Sequence, residues 1–140
     1  MYKKILVAVD GSETAKRALA EAENIAKTYD ATLRIVYSTV HTIEGDMEAA
    51  KKTGHEILDQ AKSSVSIPNV ETQLLVPETG FGLTSITEAI AAAVTDWDAD
   101  LVAVGTANRR GLERFFVGSV AEQLIAKVDS SILLVRPPKA

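Results

Sequence analysis

The sequence predicts a single α/β domain built on a parallel sheet. Three observations carry this expectation. Short β-branched apolar runs alternate with amphipathic helical stripes along the whole chain. The alternation reads β-α-β-α-β-α-β-α-β, the pattern of βαβ units. Several of the strand-like runs are apolar at every position, which suits strands covered on both faces.

The runs differ in informative ways. Ile5-Leu6-Val7-Ala8-Val9, Leu101-Val102-Ala103-Val104 and Ile132-Leu133-Leu134-Val135 are nearly continuous apolar stretches. Leu33-Arg34-Ile35-Val36-Tyr37 and Val70-Glu71-Thr72-Gln73-Leu74-Leu75-Val76 are mixed and read as strands nearer an edge. Between them, Ala15, Ala18, Leu19, Ala22, Ile25, Ala26 and Tyr29 fall on one helical face, with Ser12 as its N-cap. Met47, Ala50, Gly54, Ile57, Leu58, Ala61 and Val65 form a second stripe, in which Gly54 reads as a packing allowance. Leu83, Ile86, Ile90, Ala93, Val94 and Trp97 form a third, and Val120, Leu124, Ile125 and Val128 a shorter fourth. Pro137-Pro138 stops the last strand. No internal repeat or low-complexity tract stands out.

Composition narrows the function classes. A chain of 140 residues, 46% hydrophobic, is the size of one domain, 1–140, with enough apolar residues for its own core. It has no cysteine, which removes disulfides, thiolate metal sites and thiol catalysis. No apolar run approaches the roughly 20 residues of a membrane span. The start, Met1 to Val7, has the flavour of a signal peptide, but Asp10 interrupts it and no small-residue cleavage site follows, so the reading is cytoplasmic. A formal charge of −4 argues against general nucleic-acid affinity. His41 and His55 lie apart from the chemistry-bearing loops and are assigned neither catalysis nor metal binding.

The first and fourth strands are among the most uniformly apolar and should lie centrally. If they are neighbours, the strand order reverses between them, and ligands of open α/β sheets bind at the carboxyl ends flanking such a point. The first strand runs into Asp10-Gly11-Ser12. The fourth opens, at Gly105, a loop that reaches Gly118-Ser119, long for such a connection. The backbone N–H groups of Gly118, Ser119, Val120 and Ala121 at the start of the next helix form an anion site, with phosphate as its natural occupant. Arg109, Arg110 and Arg114 make the loop locally positive, and Phe115 and Phe116 read as packing anchors. Beside these readings stand plainer ones. Asp10 is also a common turn or capping residue, and Gly118-Ser119 also an ordinary helix start.

Along essentially its whole length the chain resembles the universal stress protein family. The opening Ile5-Leu6-Val7-Ala8-Val9-Asp10-Gly11-Ser12 resembles that family's first strand and turn. ATP-binding members carry Gly, two residues, Gly, nine residues, then Gly-Ser or Gly-Thr. Gly105 fits the first position, Asn108 stands in place of the second glycine, and Gly118-Ser119 fits the end, followed by Val120-Ala121-Glu122. The resemblance implies a Rossmann-like open sheet of five parallel strands in the order 3-2-1-4-5, with helices on both faces. It implies ATP as the ligand, with any Mg2+ held through the phosphates. Asp10 would contact the ribose or adenine side. Ala8 and Val9 would line the base, with Ser38 near it, and Val104 and Gly105 would lie along base and ribose. Gly118, Ser119 and Val120 would hold the phosphates. Asparagine tolerates left-handed backbone, so Asn108 preserves the loop's course while adding bulk.

The resulting expectation is an ATP-binding stress-response regulatory protein with at most slow hydrolysis. No Walker lysine precedes Ser119, the dinucleotide glycines are missing after Asp10, and no nucleophile–base pair assembles from the loops. The alternative, kept open by Asn108, is a nucleotide-independent protein-interaction module on the same fold. The fifth strand, Ile132-Leu133-Leu134-Val135, is a uniformly apolar edge in the implied order. It invites antiparallel pairing with a second copy, the contact that the family resemblance also implies.

Overall fold

The computed structural model of the chain describes residues 2–40, 47–78, 82–106 and 122–136. Along them run β1 (Lys4–Ala8), α1 (Glu13–Tyr29), β2 (Thr32–Ser38), α2 (Met47–Ser64), β3 (Val70–Leu75), α3 (Gly82–Trp97), β4 (Leu101–Gly105) and β5 (Ser131–Val135). Residues 122–127 are helical as well. The five strands form one sheet in the order β3-β2-β1-β4-β5, and every pairing is parallel. The predicted architecture and strand order are both observed, and β1 does lie beside β4, with Ile5 opposite Leu101 and Val7 opposite Ala103.

Side-chain alternation explains why the central strands are apolar throughout. Ile5, Val7, Leu33, Ile35, Leu101 and Ala103 turn to one face, where they meet Ala15, Ala18, Leu19 and Ala22 of α1 and Leu58 of α2. Leu6, Val36, Val102 and Val104 turn to the other and meet Ile90, Ala93 and Val94 of α3, together with Leu124. A strand with a core on both sides has no position at which a polar side chain meets water. The outer strands do: Thr72 on β3 and Ser131 on β5 are exposed. The fourth helical stripe holds only in part. Leu124 is fully buried, whereas Ile125 is 57% exposed. Successive helical residues point about 100° apart, and this short segment offers the sheet one of the two.

The α1–β2 and α3–β4 corners share one construction. α1 ends at Asp30 in the left-handed conformation (φ 54°), with the N–H of Ala31 donating to the Ala26 carbonyl at 2.9 Å. α3 is followed by Asp98 at φ 59°, with the N–H of Ala99 donating to the Val94 carbonyl at 3.0 Å. Both are reverse closures that satisfy the last helical carbonyls. The sequence writes them alike, as Tyr29-Asp30-Ala31-Thr32-Leu33 and Trp97-Asp98-Ala99-Asp100-Leu101, a local echo too short to register as a repeat. An aspartate there opposes the negative end of the helix dipole. Asp30→Asn keeps a residue tolerant of this backbone and removes the charge. It is expected to raise stability by about 0.3–1 kcal/mol at low salt, with the gain shrinking as salt is added. Urea unfolding at two ionic strengths measures this.

Candidate functional site at the carboxyl edge of β1 and β4

The carboxyl ends of β1 and β4 lie side by side, and the chain leaves them in opposite directions: β2 flanks β1 on one side and β5 flanks β4 on the other. Beyond β1, the Val9 N–H donates to the Val36 carbonyl at 2.9 Å, extending the pairing by one step. The backbone then turns through Asp10-Gly11-Ser12. Asp10 is exposed, and its Oδ1 accepts the Ser12 N–H at 2.9 Å. Ser12 is extended (φ −79°, ψ 161°), and its Oγ accepts the Ala15 N–H at 3.1 Å, the predicted N-cap. Gly11, at φ +87°, takes a conformation open to glycine at little cost. The plainer role for Asp10 is therefore present: its carboxylate shapes the turn. That role occupies one lone pair of Oδ1, and a carboxylate has further acceptor sites.

The other predicted residues distribute over both sides of the sheet. Ala8, Ser38 and Val104 share the parity of Leu6, Val36 and Val102 and so turn to the α3 face. Ser38 is half-buried, and its Oγ donates to the Thr39 carbonyl at 2.9 Å. Val9 lies on the opposite face, 7% exposed, within the core beneath α1 and α2, so it meets the edge through its backbone. Gly105 ends β4 against the first turn of α1. A Cβ there would stand 2.7 Å from Thr14 Cγ2 and 3.1 Å from the Thr14 backbone carbonyl carbon and oxygen. This glycine has a packing reason independent of any ligand. Asn108, Gly118, Ser119, Val120 and Ala121 lie outside the described residues, as does His41. His55, on α2, is exposed and away from this edge.

Two neighbours escaped the sequence reading. Thr39, one residue past β2, is 2% exposed, and both its N–H (2.9 Å) and its Oγ1 (3.4 Å) donate to the Leu75 carbonyl. Its only signal was a polar residue directly after a strand. Tyr37, the last aromatic of β2, has its phenol pushed above the ordinary value, first by burial and then by the negative charge of Asp10. The Asp10 carboxylate thus acts electrostatically on the end of β2 as well as on its own turn.

Among the described residues no group of three or more His, Cys, Asp or Glu side chains is placed to hold a metal ion, and no helix is long and apolar enough to cross a membrane. A cleft of about 380 Å3 lies between α1 and α2, on the far side of the Asp10 turn, with Gly11, Ser12 and Ile57 on its wall. A larger one of about 660 Å3, lined in part by Tyr2, Tyr29, Asp98 and Asp100, is at the amino ends of the strands, away from Asp10. The carboxyl edge thus carries an exposed carboxylate at the end of β1, with Ala8 and Ser38 half-buried on the α3 face and Val104 buried in the core beneath.

A universal stress protein of Staphylococcus saprophyticus is 36% identical over 96% of this chain and 84% of its own length. A Staphylococcus aureus relative is 34% identical over the same shares. A universal stress protein solved in complex with cAMP superposes with a TM-score of 0.76, at 21% identity, over 98% of this chain and 99% of its own. The Archaeoglobus fulgidus universal stress protein in complex with dAMP gives a TM-score of 0.72 at 25% identity, over 96% and 98%. The family model itself matches residues 1–136, and the chain belongs to the universal stress protein family.

Proposed function

We propose that this protein binds an adenine nucleotide, ATP in particular, across the carboxyl ends of β1 and β4, and serves as a cytoplasmic, dimeric stress-response regulator with at most slow hydrolysis. The observation that carries the reading is the reversal of strand order between β1 and β4, with the exposed carboxylate of Asp10 at the crevice it opens. A carboxylate there accepts hydrogen bonds from ribose hydroxyls. Ala8 supplies apolar surface for a base, with Ser38 beside it, and Val9, Val104 and Gly105 contribute chiefly backbone. The phosphates are assigned to the N–H groups of Gly118, Ser119, Val120 and Ala121, with Asn108 beside them and any Mg2+ carried on the phosphates. The solved relatives in complex with cAMP and with dAMP support an adenine nucleotide as the ligand class.

Calorimetry with ATP and Mg2+ tests the reading. Binding is expected in the parent protein. Gly118→Val, which sets a branched side chain against the phosphate, is expected to weaken it at least tenfold. The absence of heat at millimolar nucleotide, together with the absence of acid-released adenine absorbance from freshly purified protein, would overturn it. A second reading, a nucleotide-independent interaction module, is favoured by one observation: residue 108 is asparagine, where the family resemblance implies glycine for ATP-binding members. The absence of ATP binding by the parent protein would favour that module, whereas Asn108→Gly tests what the asparagine does within the ATP reading. If the asparagine merely substitutes for glycine's backbone freedom, the change leaves ATP binding unchanged or tightens it. A clear weakening would mean that its side chain donates to a phosphate.

A further inference from the structure

α2 supplies no residue to the carboxyl edge, yet two positions one turn apart on it meet the segments that form that edge. The first is Gly54. A Cβ there would stand 2.6 Å from Leu74 Cδ1 and 2.8 Å from Tyr37 Cδ2, so the Tyr37 ring and Leu74 seat directly against bare helix backbone. No side chain fits in that space, and the absence of one fixes how closely α2 approaches β2 and β3. The second is Ile57. Its Cδ1 lies 3.5 Å, and its Cγ1 3.8 Å, from the point where a Gly11 Cβ would stand, and beyond Asp10, Gly11 and Ser12 themselves no other atom of the described residues lies within 4 Å of that point. Glycine restrains its own backbone least of all residues, so the course of the turn depends on what surrounds it. Inside the turn, that is the Asp10–Ser12 hydrogen bond. Outside it, Ile57 is the side chain that stands across from Gly11, at the distance where a Cβ on Gly11 would just touch it, and both residues line the cleft between α1 and α2.

We propose that α2 is the positioning element of the nucleotide-site turn: Gly54 sets the depth at which α2 lies, and Ile57 holds Gly11 so that Asp10 faces the crevice. The proposal rests on the nucleotide site put forward above. α2 acts on the ligand only through the turn. If α2 moves outward, or if Ile57 loses its side chain, Gly11 can shift into the cleft and carry Asp10 with it. Ile57 is half-buried, so its truncation leaves the main core in place, whereas its neighbour Leu58 is 2% exposed and belongs to that core. The two adjacent residues therefore separate position from packing.

The experiment compares Gly54→Ala, Ile57→Ala, Ile57→Leu and Leu58→Ala in the full chain. Two readouts are taken: ATP affinity by calorimetry, and amide exchange of Ser12 and Ala15 in the nucleotide-free protein. Gly54→Ala and Ile57→Ala are expected to weaken ATP binding by about 2- to 30-fold, the range seen for changes that act without touching a ligand. Both should speed exchange at Ser12 and Ala15, whose N–H groups bond within the turn. Ile57→Leu should restore both readouts. Leu58→Ala should cost more stability yet keep affinity within about twofold of the parent. If Leu58→Ala lowers affinity and protection as much as Ile57→Ala does, or if Ile57→Ala leaves Ser12 protected, the proposal is wrong. A parent protein that binds no ATP sinks the nucleotide reading instead, and the exchange data then decide by themselves whether α2 holds the turn.

Discussion

Replacing Gly105 with valine is expected to destabilise the protein by about 3 kcal/mol or more, and replacement with alanine by about 1–3 kcal/mol, the cost of forcing extra carbons into a filled space. The cause is the approach of α1. Its first turn crosses the end of β4 so closely that even a single carbon on Gly105 would fall 2.7 Å from Thr14 Cγ2 and 3.1 Å from the Thr14 carbonyl. The methyl can rotate away. The carbonyl cannot, because α1 is fixed by Ala15 directly after it and by Ala18, Leu19 and Ala22 one to two turns further on, all packed into the core. Thr14→Ser in the Gly105→Ala background removes the nearer of the two obstacles and is expected to recover part of the loss. Urea midpoints measured without nucleotide decide the matter. A Gly105→Val protein as stable as its parent would show that α1 yields easily and that the glycine is there for the ligand alone. The distinction bears on function: a binding defect in a Gly105 variant must be read against its stability, whereas one in a Gly118 variant concerns the phosphate side.

The central place of β1 and β4 was legible because burial on both faces leaves a mark in composition, while the full strand order came from the family resemblance. Ile5 to Val9 and Leu101 to Val104 carry no polar residue, a pattern that suits strands with helices on both sides, although Ile132 to Val135 shares it while β5 lies at the edge. The N-cap at Ser12 and the packing role of Gly54 were legible for local reasons, one a side-chain oxygen ahead of a helical stripe, the other a missing side chain within one. Other features depend on partners far along the chain. Ala8 and Val9 look alike in sequence, yet the pleat sends one toward α3 and the other beneath α1. Gly105 reads as the first glycine of a ligand motif, and its contact with Thr14 exists only once α1 has crossed β4. Thr39 is buried because β3 ends beside it and presents the Leu75 carbonyl. Ile125 belonged to a plausible apolar stripe, but its segment turns Leu124 inward and leaves it in water. In each case the sequence shows what a residue is able to do, and the crossing of elements decides which capability is used.

In light scattering at micromolar concentration the protein is expected to show twice the 15.0 kDa chain mass, with Leu134→Lys returning it to the single-chain value. β5 pairs with β4 and with no other strand among the described residues, so its outer backbone groups form an open edge. Its two sides are unequal. Leu133 packs toward the α1 face and Val135 is 6% exposed, while Leu134 remains 43% exposed, large and apolar at the rim. Natural edges are usually blunted with charge, proline or a covering segment. Here β5 is apolar from Ile132 to Val135, and charge arrives only at Arg136. A twofold axis beside β5 would pair it antiparallel with its own copy and satisfy both edges at once, since such a contact is self-complementary. It would also bring the two Leu134 side chains toward each other across the axis. A lysine at that position places like charges in close apposition, which disfavours pairing, while leaving the monomer's packing largely untouched because the side chain is already half in water. Leu133→Pro attacks the same edge through the backbone but also strikes the register with Ala103, so it serves as a second variant rather than the first. A parent protein that scatters at the single-chain mass would remove the dimer under those conditions. A dimer that survives both substitutions would place the contact on another surface, with β5 no part of it.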